Sequence, residues 1–113
     1  MKHLRSLLFI SLLLSININA REFKSVNCDV IADISMIAMI LRQSGLSKAE
    51  VNEDIPYKKL TNEEKFMVRN LIQTIFKVPV TEENRTYEFS EKFMESVRND
   101  CHKKVKNDFV FQN

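Results

Sequence analysis

Two cysteines constrain this chain more than any other feature of its sequence. Cys28 and Cys101 are the only cysteines among 113 residues, and 72 residues lie between them. A chain of this length has room for one hydrophobic core, so a bond between the two would close nearly the whole domain. In an exported protein an even cysteine count indicates a disulfide, and two cysteines allow a single pairing. Such a crosslink is expected to stabilise the fold by about 4 kcal/mol.

The competing interpretation is a catalytic or metal-binding thiol. Thiols of that kind usually belong to C-x-x-C motifs or lie near several histidines. The sequence has no C-x-x-C motif and only two histidines in all. We therefore predict a structural disulfide between Cys28 and Cys101.

The amino-terminal segment has the pattern of a secretory signal peptide. Lys2 and Arg5 precede an apolar run over residues 7–16, and small Ala20 stands just before a charged pair. A basic start, a short apolar stretch and a small residue in this order are typical of a cleaved signal. An uncleaved anchor is the alternative, but the run is shorter than the about 20 residues that a membrane span needs. We predict removal of residues 1–20 and a periplasmic or secreted product without a stable membrane span.

The charge balance gives no general attraction to nucleic acid. The chain has 17 basic and 15 acidic residues, and Lys2 and Arg5 leave with the signal peptide, so the remaining charges balance. Non-specific binding to nucleic acid depends on accumulated positive charge. Lys103, Lys104 and Lys106 form a basic cluster that is either a solvated helix end or a binding surface. No nucleic-acid partner is predicted.

The first predicted helix runs from Asn27 to Ser44. Asn27 is a suitable N-cap, and Gly45, the only glycine of the chain, is placed to end the helix in a left-handed conformation. Apolar residues recur along this segment at spacings of three and four, which is a helical period. The stripe expected to face the core is Val30, Ile34, Ile37 and Leu41, and Ile31, Ala38 and Ile40 widen it, so that the helix is apolar nearly all round.

Capping boxes predict the starts of the next two helices. Ser47 with Glu50 opens a short second helix, which cannot pass Pro56. Thr61 with Glu64 opens a third helix in the same way, and its polar residues, Glu64 among them, are expected to lie away from the apolar face.

A fourth helix is expected to begin between Thr81 and Thr86. Its apolar positions recur four residues apart. They are Phe89, Phe93, Val97 and Cys101. The apolar segment over residues 108–111 is expected either to lie against the bundle or to fray.

These elements predict an all-α fold, a small antiparallel bundle of about four helices with a short second one, closed by one disulfide. Cys28 is expected to open the first helix and Cys101 to close the last. With an even number of antiparallel helices these two points lie at the same end, as the limit of about 7 Å between disulfide Cα atoms requires. The domain is predicted over residues 21–113, with its core over about 27–104 and a tail over 105–113.

No catalytic residue, metal site or cofactor is predicted. His102 is the only histidine after residue 20 and is followed by lysines, which favours a surface position over a general base. One glycine is too few for a phosphate-binding loop. The carboxylate pair of Glu91 and Glu95 has the spacing of an exposed helix surface, so a hydrolase is the least favoured function.

Four residues of the first helix are candidates for partner binding: Met36, Met39, Arg42 and Gln43. The methionines either fill gaps in the core or line a soft groove for a peptide or an apolar ligand. Arg42 and Gln43 either close the helix or bind an anion or a partner's carboxylate at its end.

One pattern spans most of the chain after residue 20. It consists of Cys28, Ala32, Arg42-Gln43-x-Gly45, Val78-Pro79, Phe93 and Cys101. This pattern resembles a group of small exported bacterial proteins of unknown function. The resemblance implies a two-cysteine helical domain outside the cytosol and carries no known activity. Separately, Asn84-Arg85-Thr86 is a sequon for N-glycosylation, which would matter only in a eukaryotic secreted protein.

The sequence is compatible with three functions. The first is a non-enzymatic interaction domain that binds a protein or a small apolar ligand through a face of the bundle. The second is a membrane-active or envelope-stress factor whose apolar helices open onto a bilayer, and the third is a hydrolase using His102 and a carboxylate. We expect the first, because the apolar first helix is accompanied by no recognisable catalytic set.

Overall fold

The structure is a computed structural model that describes the backbone of residues 26–110 and the side chains of residues 26–105. It contains α1 over Cys28–Gln43, α2 over Lys48–Asp54, α3 over Asn62–Ile75 and α4 over Tyr87–Val110. Single turns of 3-10 helix over Tyr57–Lys59 and Glu83–Arg85, which were not predicted, lie before α3 and α4. The described region has no strand, and the predicted all-α fold of about four helices is confirmed. The predicted signal peptide over residues 1–20 lies outside this region.

Side-chain caps begin the first three helices at the predicted residues. Asn27 Oδ1 accepts hydrogen bonds from two N–H groups in the first turn of α1, at 3.1 and 3.3 Å. Ser47 and Glu50 form a complete capping box at α2, and Thr61 and Glu64 form another at α3. These bonds satisfy N–H groups that no helical carbonyl can reach. The backbone N–H of Ser47 also lowers the pKa of the Glu50 carboxyl, because it binds the charged form.

The end of α1 has the predicted glycine terminus. Gly45 has a φ of 97°, a left-handed conformation that side chains with a Cβ rarely adopt. The N–H of Leu46 bonds to the carbonyl of Leu41 at 3.2 Å, and the N–H of Gly45 bonds to that of Arg42 at 3.0 Å. This pair of bonds closes the last turn and directs the chain into α2.

The central helix of the bundle is α1, which packs against both α3 and α4. It is parallel to α3, since the N–H of Asn27 reaches Glu64 at the start of α3 and Arg42 reaches the carbonyl of Phe76 at its end. Helix α2 and the 3-10 turn after it return the chain between them. Helix α4 is antiparallel to α1 and begins beside the end of α1. The order of directions is therefore the predicted antiparallel one.

The predicted disulfide joins Cys28 to Cys101, with 5.7 Å between their Cα atoms. Both cysteines are buried. Cys28 opens α1 as predicted, but Cys101 does not close the last helix, because α4 continues to Val110. The backbone is therefore helical well into the segment predicted as a tail from residue 105. The predicted contact of residues 108–111 with the bundle concerns side chains outside the described ones.

The core is formed by one face of each helix. Its buried residues on α1 and α3 recur with the period of a helix. They include Ile31, Ile34, Ala38, Met39, Val68, Ile72 and Ile75. The predictions for Ile37 and Ile40 are wrong, since 56% and 38% of these residues are exposed. Apolar residues occur on more than one face of α1. Helices α3 and α4 pack against the face that carries Ile31 and Met39. Ile37 falls outside that face.

Glu64 differs most from its predicted place. We expected it among the surface residues of α3, but it is only 5% exposed. Its Oε1 accepts the N–H of Thr61 at 2.9 Å, as a capping box requires, and its Oε2 accepts the N–H of Asn27 at 2.9 Å. A single carboxylate therefore holds the starts of α3 and α1 together.

We predict that Glu64→Gln lowers the free energy of unfolding by about 1–3 kcal/mol, because an amide NH2 must then face one of the two partly buried N–H donors that the carboxylate binds. The matched control is Glu50→Gln, which makes the same change in a capping box that serves α2 alone. Urea denaturation of both variants measures the difference. A loss at Glu50 as large as that at Glu64 would contradict the bridging role of Glu64.

Candidate functional site

Arg42 contacts the end of α3. Its guanidinium carbon lies 4.8 Å from the centre of the Phe76 ring. Its Nη2 donates to the carbonyls of Phe76 and Val78 at 3.5 and 3.4 Å, and its buried Nε has no hydrogen-bond partner among the described residues. Carbonyls at a helix end carry partial negative charge, which stabilises a cation there. Arg42 thus joins the ends of α1 and α3.

Gln43 holds the loop between α3 and α4. It is only 3% exposed. Its Nε2 donates to the carbonyl of Pro79 at 3.1 Å, and its Oε1 accepts the N–H of Thr81 at 3.4 Å. Asn84 of the sequon donates to the same Pro79 carbonyl at 3.0 Å. The polar atoms of Gln43 therefore face the protein's own backbone, and the predicted binding of an anion by Arg42 and Gln43 stays a prediction.

The two methionines occupy different environments. Met39 is fully buried in the core, with its sulfur 3.9 Å from Nε2 of Gln43. Met36 is half-buried at the surface of α1. Of the four residues predicted for partner binding, only Met36 and Arg42 reach the surface. Met39 acts as core packing.

The exposed apolar residues near the end of α1 were not predicted. Ile37, Ile40 and Tyr87 are 56%, 38% and 66% exposed, and they account for all but one of the large exposed apolar side chains in the described region. Ile37 and Ile40 are three residues apart on α1, and Ile40 lines a cleft together with Tyr87. We call Ile37, Ile40 and Tyr87 the apolar patch. The signal was present in the sequence, because apolar residues surround α1 more widely than one buried face requires.

The cleft lies between the end of α1 and the start of α4 and has a volume of about 430 Å³. Besides Ile40 and Tyr87 it is lined by Gln43, Ser44, Arg85, Thr86 and Ser90. Arg85 is exposed and is the only acidic or basic residue in this lining. The site thus combines apolar surface, hydroxyl groups and one positive charge.

A second hollow, of about 230 Å³, lies between α3 and α4. Its floor includes Ile31 and Cys101, and its rim includes Asn70 and Asp100. The apolar side chains in its lining are buried or half-buried, so it presents no large exposed apolar group. The cleft at the apolar patch is therefore the stronger candidate.

The remaining polar clusters serve the fold. Tyr57 donates to Oδ1 of Asn52 at 2.7 Å, and Arg69 lies over its ring at 5.3 Å. Burial raises the pKa of Tyr57, and the hydrogen bond of its hydroxyl ties the 3-10 turn to α2. His102 is exposed on α4. Within the described residues, no three His, Cys, Asp or Glu side chains are grouped closely enough to hold a metal ion.

Comparisons with known protein families, with curated proteins and with solved structures find no match. None of the described helices has the length and apolar character needed to cross a membrane.

We predict that Gln43→Leu lowers the free energy of unfolding by about 0.5–1.5 kcal/mol, because the side chain loses its hydrogen bonds to the carbonyl of Pro79 and the N–H of Thr81. Hydrogen exchange at Thr81 should become faster. Ser44→Ala is the control, since the Ser44 hydroxyl only bonds back to the carbonyl of Ile40 on an exposed surface. Unchanged exchange at Thr81 in the Gln43 variant would contradict the loop-holding role.

Proposed function

We propose that this chain is an exported, non-enzymatic interaction domain that binds a partner protein through the apolar patch. The observation that carries the proposal is that exposed Ile40 and Tyr87 line one cleft and that exposed Ile37 lies three residues from Ile40 on α1. Single exposed apolar residues are normal on a soluble protein, whereas contiguous ones mark interaction surfaces.

Export is the part of the proposal that concerns location. The Cys28–Cys101 disulfide is compatible with an oxidising compartment, where such bonds persist. The sequence of residues 1–20 supports the same location, since it has the order of a signal peptide. A periplasmic or secreted site of action fits both features.

A protein partner is favoured over a small apolar ligand by the extent of the patch. Ile40 and Tyr87 line the cleft. Ile37, which lies about one turn before Ile40 on α1, does not. A small ligand within the cleft would leave Ile37 exposed. A protein segment laid along α1 would cover both isoleucines.

The membrane-active alternative makes a different prediction. In that function the helices open onto a bilayer once the disulfide is reduced, so the protein should float with liposomes in the presence of reductant. The interaction domain should remain unbound to liposomes under both conditions.

We predict that the variant Ile37→Lys with Ile40→Lys loses its crosslinked partner, because charged side chains cannot be desolvated against an apolar surface. The full chain is expressed, collected from the exported fraction and crosslinked to its surroundings. The matched control is Phe66→Lys, which makes the same change at the exposed apolar residue outside the patch, on α3. Its partner should be retained.

Two outcomes would overturn the proposal. One is equal capture of the same partner by the patch variant and the wild-type chain, with both folded by circular dichroism. The other is flotation of the protein with liposomes and no crosslinked protein. Absence of the chain from the exported fraction would overturn the location.

A further inference from the structure

We propose that the apolar patch takes a partner segment that carries an acidic side chain, two apolar side chains and a basic side chain in that order. This inference rests on the proposed function and specifies the chemistry of the partner. It follows from the charges at the two ends of an exposed line on α1, which we define by Ile40, Ile37 and Asp33.

Positive charge lies at one end of this line. Arg85 lines the cleft together with Ile40 and Ser44, at the carboxyl-terminal end of α1. Glu88, the acidic residue next to Tyr87, is paired with Lys92 at 3.1 Å. An acidic group placed in the cleft would meet an arginine and hydroxyl donors, which are suitable partners for a carboxylate.

Apolar surface forms the middle of the line. Ile40 and Ile37 are three residues apart on α1, which separates them by about 4.5 Å along the helix axis. That spacing matches successive apolar positions on one face of an amphipathic partner helix. Two apolar side chains of the partner therefore have two apolar side chains to pack against.

Negative charge lies at the other end. Asp33 is exposed one turn before Ile37 on α1. Asp54, at the end of α2, is exposed and lines a small hollow together with Ile37. A basic side chain that follows the apolar pair would lie at the end of the line where these carboxylates are exposed.

The two signs of charge favour a protein segment over a membrane surface. An anionic bilayer presents one sign of charge, so a surface that binds it gathers basic residues. Here Asp33 and Asp54 would repel the same headgroups that Arg85 attracts. A peptide carries both signs in a fixed order and satisfies both ends of the line. The distance from Ile40 to Asp33 is seven residues, about 10 Å, so a partner helix of three turns spans it.

The test uses three fluorescein-labelled, alanine-based helical peptides of equal length. The mixed peptide carries one glutamate, two leucines and one lysine, each one turn apart. The other two carry glutamate at both ends or lysine at both ends. Fluorescence anisotropy with the mature wild-type protein should give the lowest Kd for the mixed peptide, by about fivefold over either other peptide. The preference should weaken at high salt.

Charge reversal at one residue identifies the contact. Arg85→Glu should weaken binding of the mixed peptide by about fivefold and strengthen binding of the two-lysine peptide by a similar factor. Lys103→Glu is the matched control, because it makes a charge reversal of the same kind at an exposed basic residue of α4 outside the cleft lining. It should leave the order of the three affinities unchanged.

The outcomes separate this inference from the function on which it rests. Equal affinity for all three peptides, lost in the Ile37→Lys, Ile40→Lys variant, would overturn the charge order but retain the apolar patch as a binding surface. Binding that persists in that variant would overturn both. No measurable binding of any peptide, or binding of anionic vesicles instead, would overturn the inference.

Discussion

The rest of the structure depends on the fixing of α1 at both of its ends. At its start, Cys28 is bonded to Cys101 of α4, and the N–H of Asn27 is held by Glu64 of α3. At its end, Arg42 donates to carbonyls that follow α3, and Gln43 bonds to the loop that leads into α4. Because α1 is the helix that both others pack against, these contacts set the positions of all three.

This arrangement decides which part of α1 reaches solvent. One face, with Ile31 and Met39, is buried against α3 and α4, whereas Ile37 and Ile40 are left on the exposed line. Polar contacts at both ends prevent a rotation that would bury them, since turning α1 would break the bonds of Gln43 and leave buried polar groups unsatisfied. The apolar patch is thus a fixed feature of the fold, which is what a binding surface requires.

Local rules predicted where α1, α2 and α3 begin and where α1 ends, but not the two 3-10 turns or the continuation of α4 to Val110. Long-range contacts decided which individual residues are buried. Asn27 and Gly45 end α1 as expected, because capping depends on neighbours within a few residues. The exposure of Ile37 depended on where α3 and α4 pack, and the second hydrogen bond of Glu64 joins residues 37 positions apart. The cysteine pairing was predictable across the whole chain because only one pairing exists. Of the cleft lining, the sequence indicated Gln43 of α1 but not Ile40 or Tyr87, because their exposure depends on how α4 packs beside α1.

The dependence of the fold on its crosslink is tested most directly by the free energy of unfolding of residues 21–113 with and without the disulfide. Urea denaturation of the oxidised wild-type chain is compared with that of the Cys28→Ala, Cys101→Ala variant. We expect a loss of about 4 kcal/mol in the variant, since the bond closes a loop of nearly the whole domain. Equal stability of the two proteins, or free thiols in the wild-type chain, would contradict this role of the disulfide.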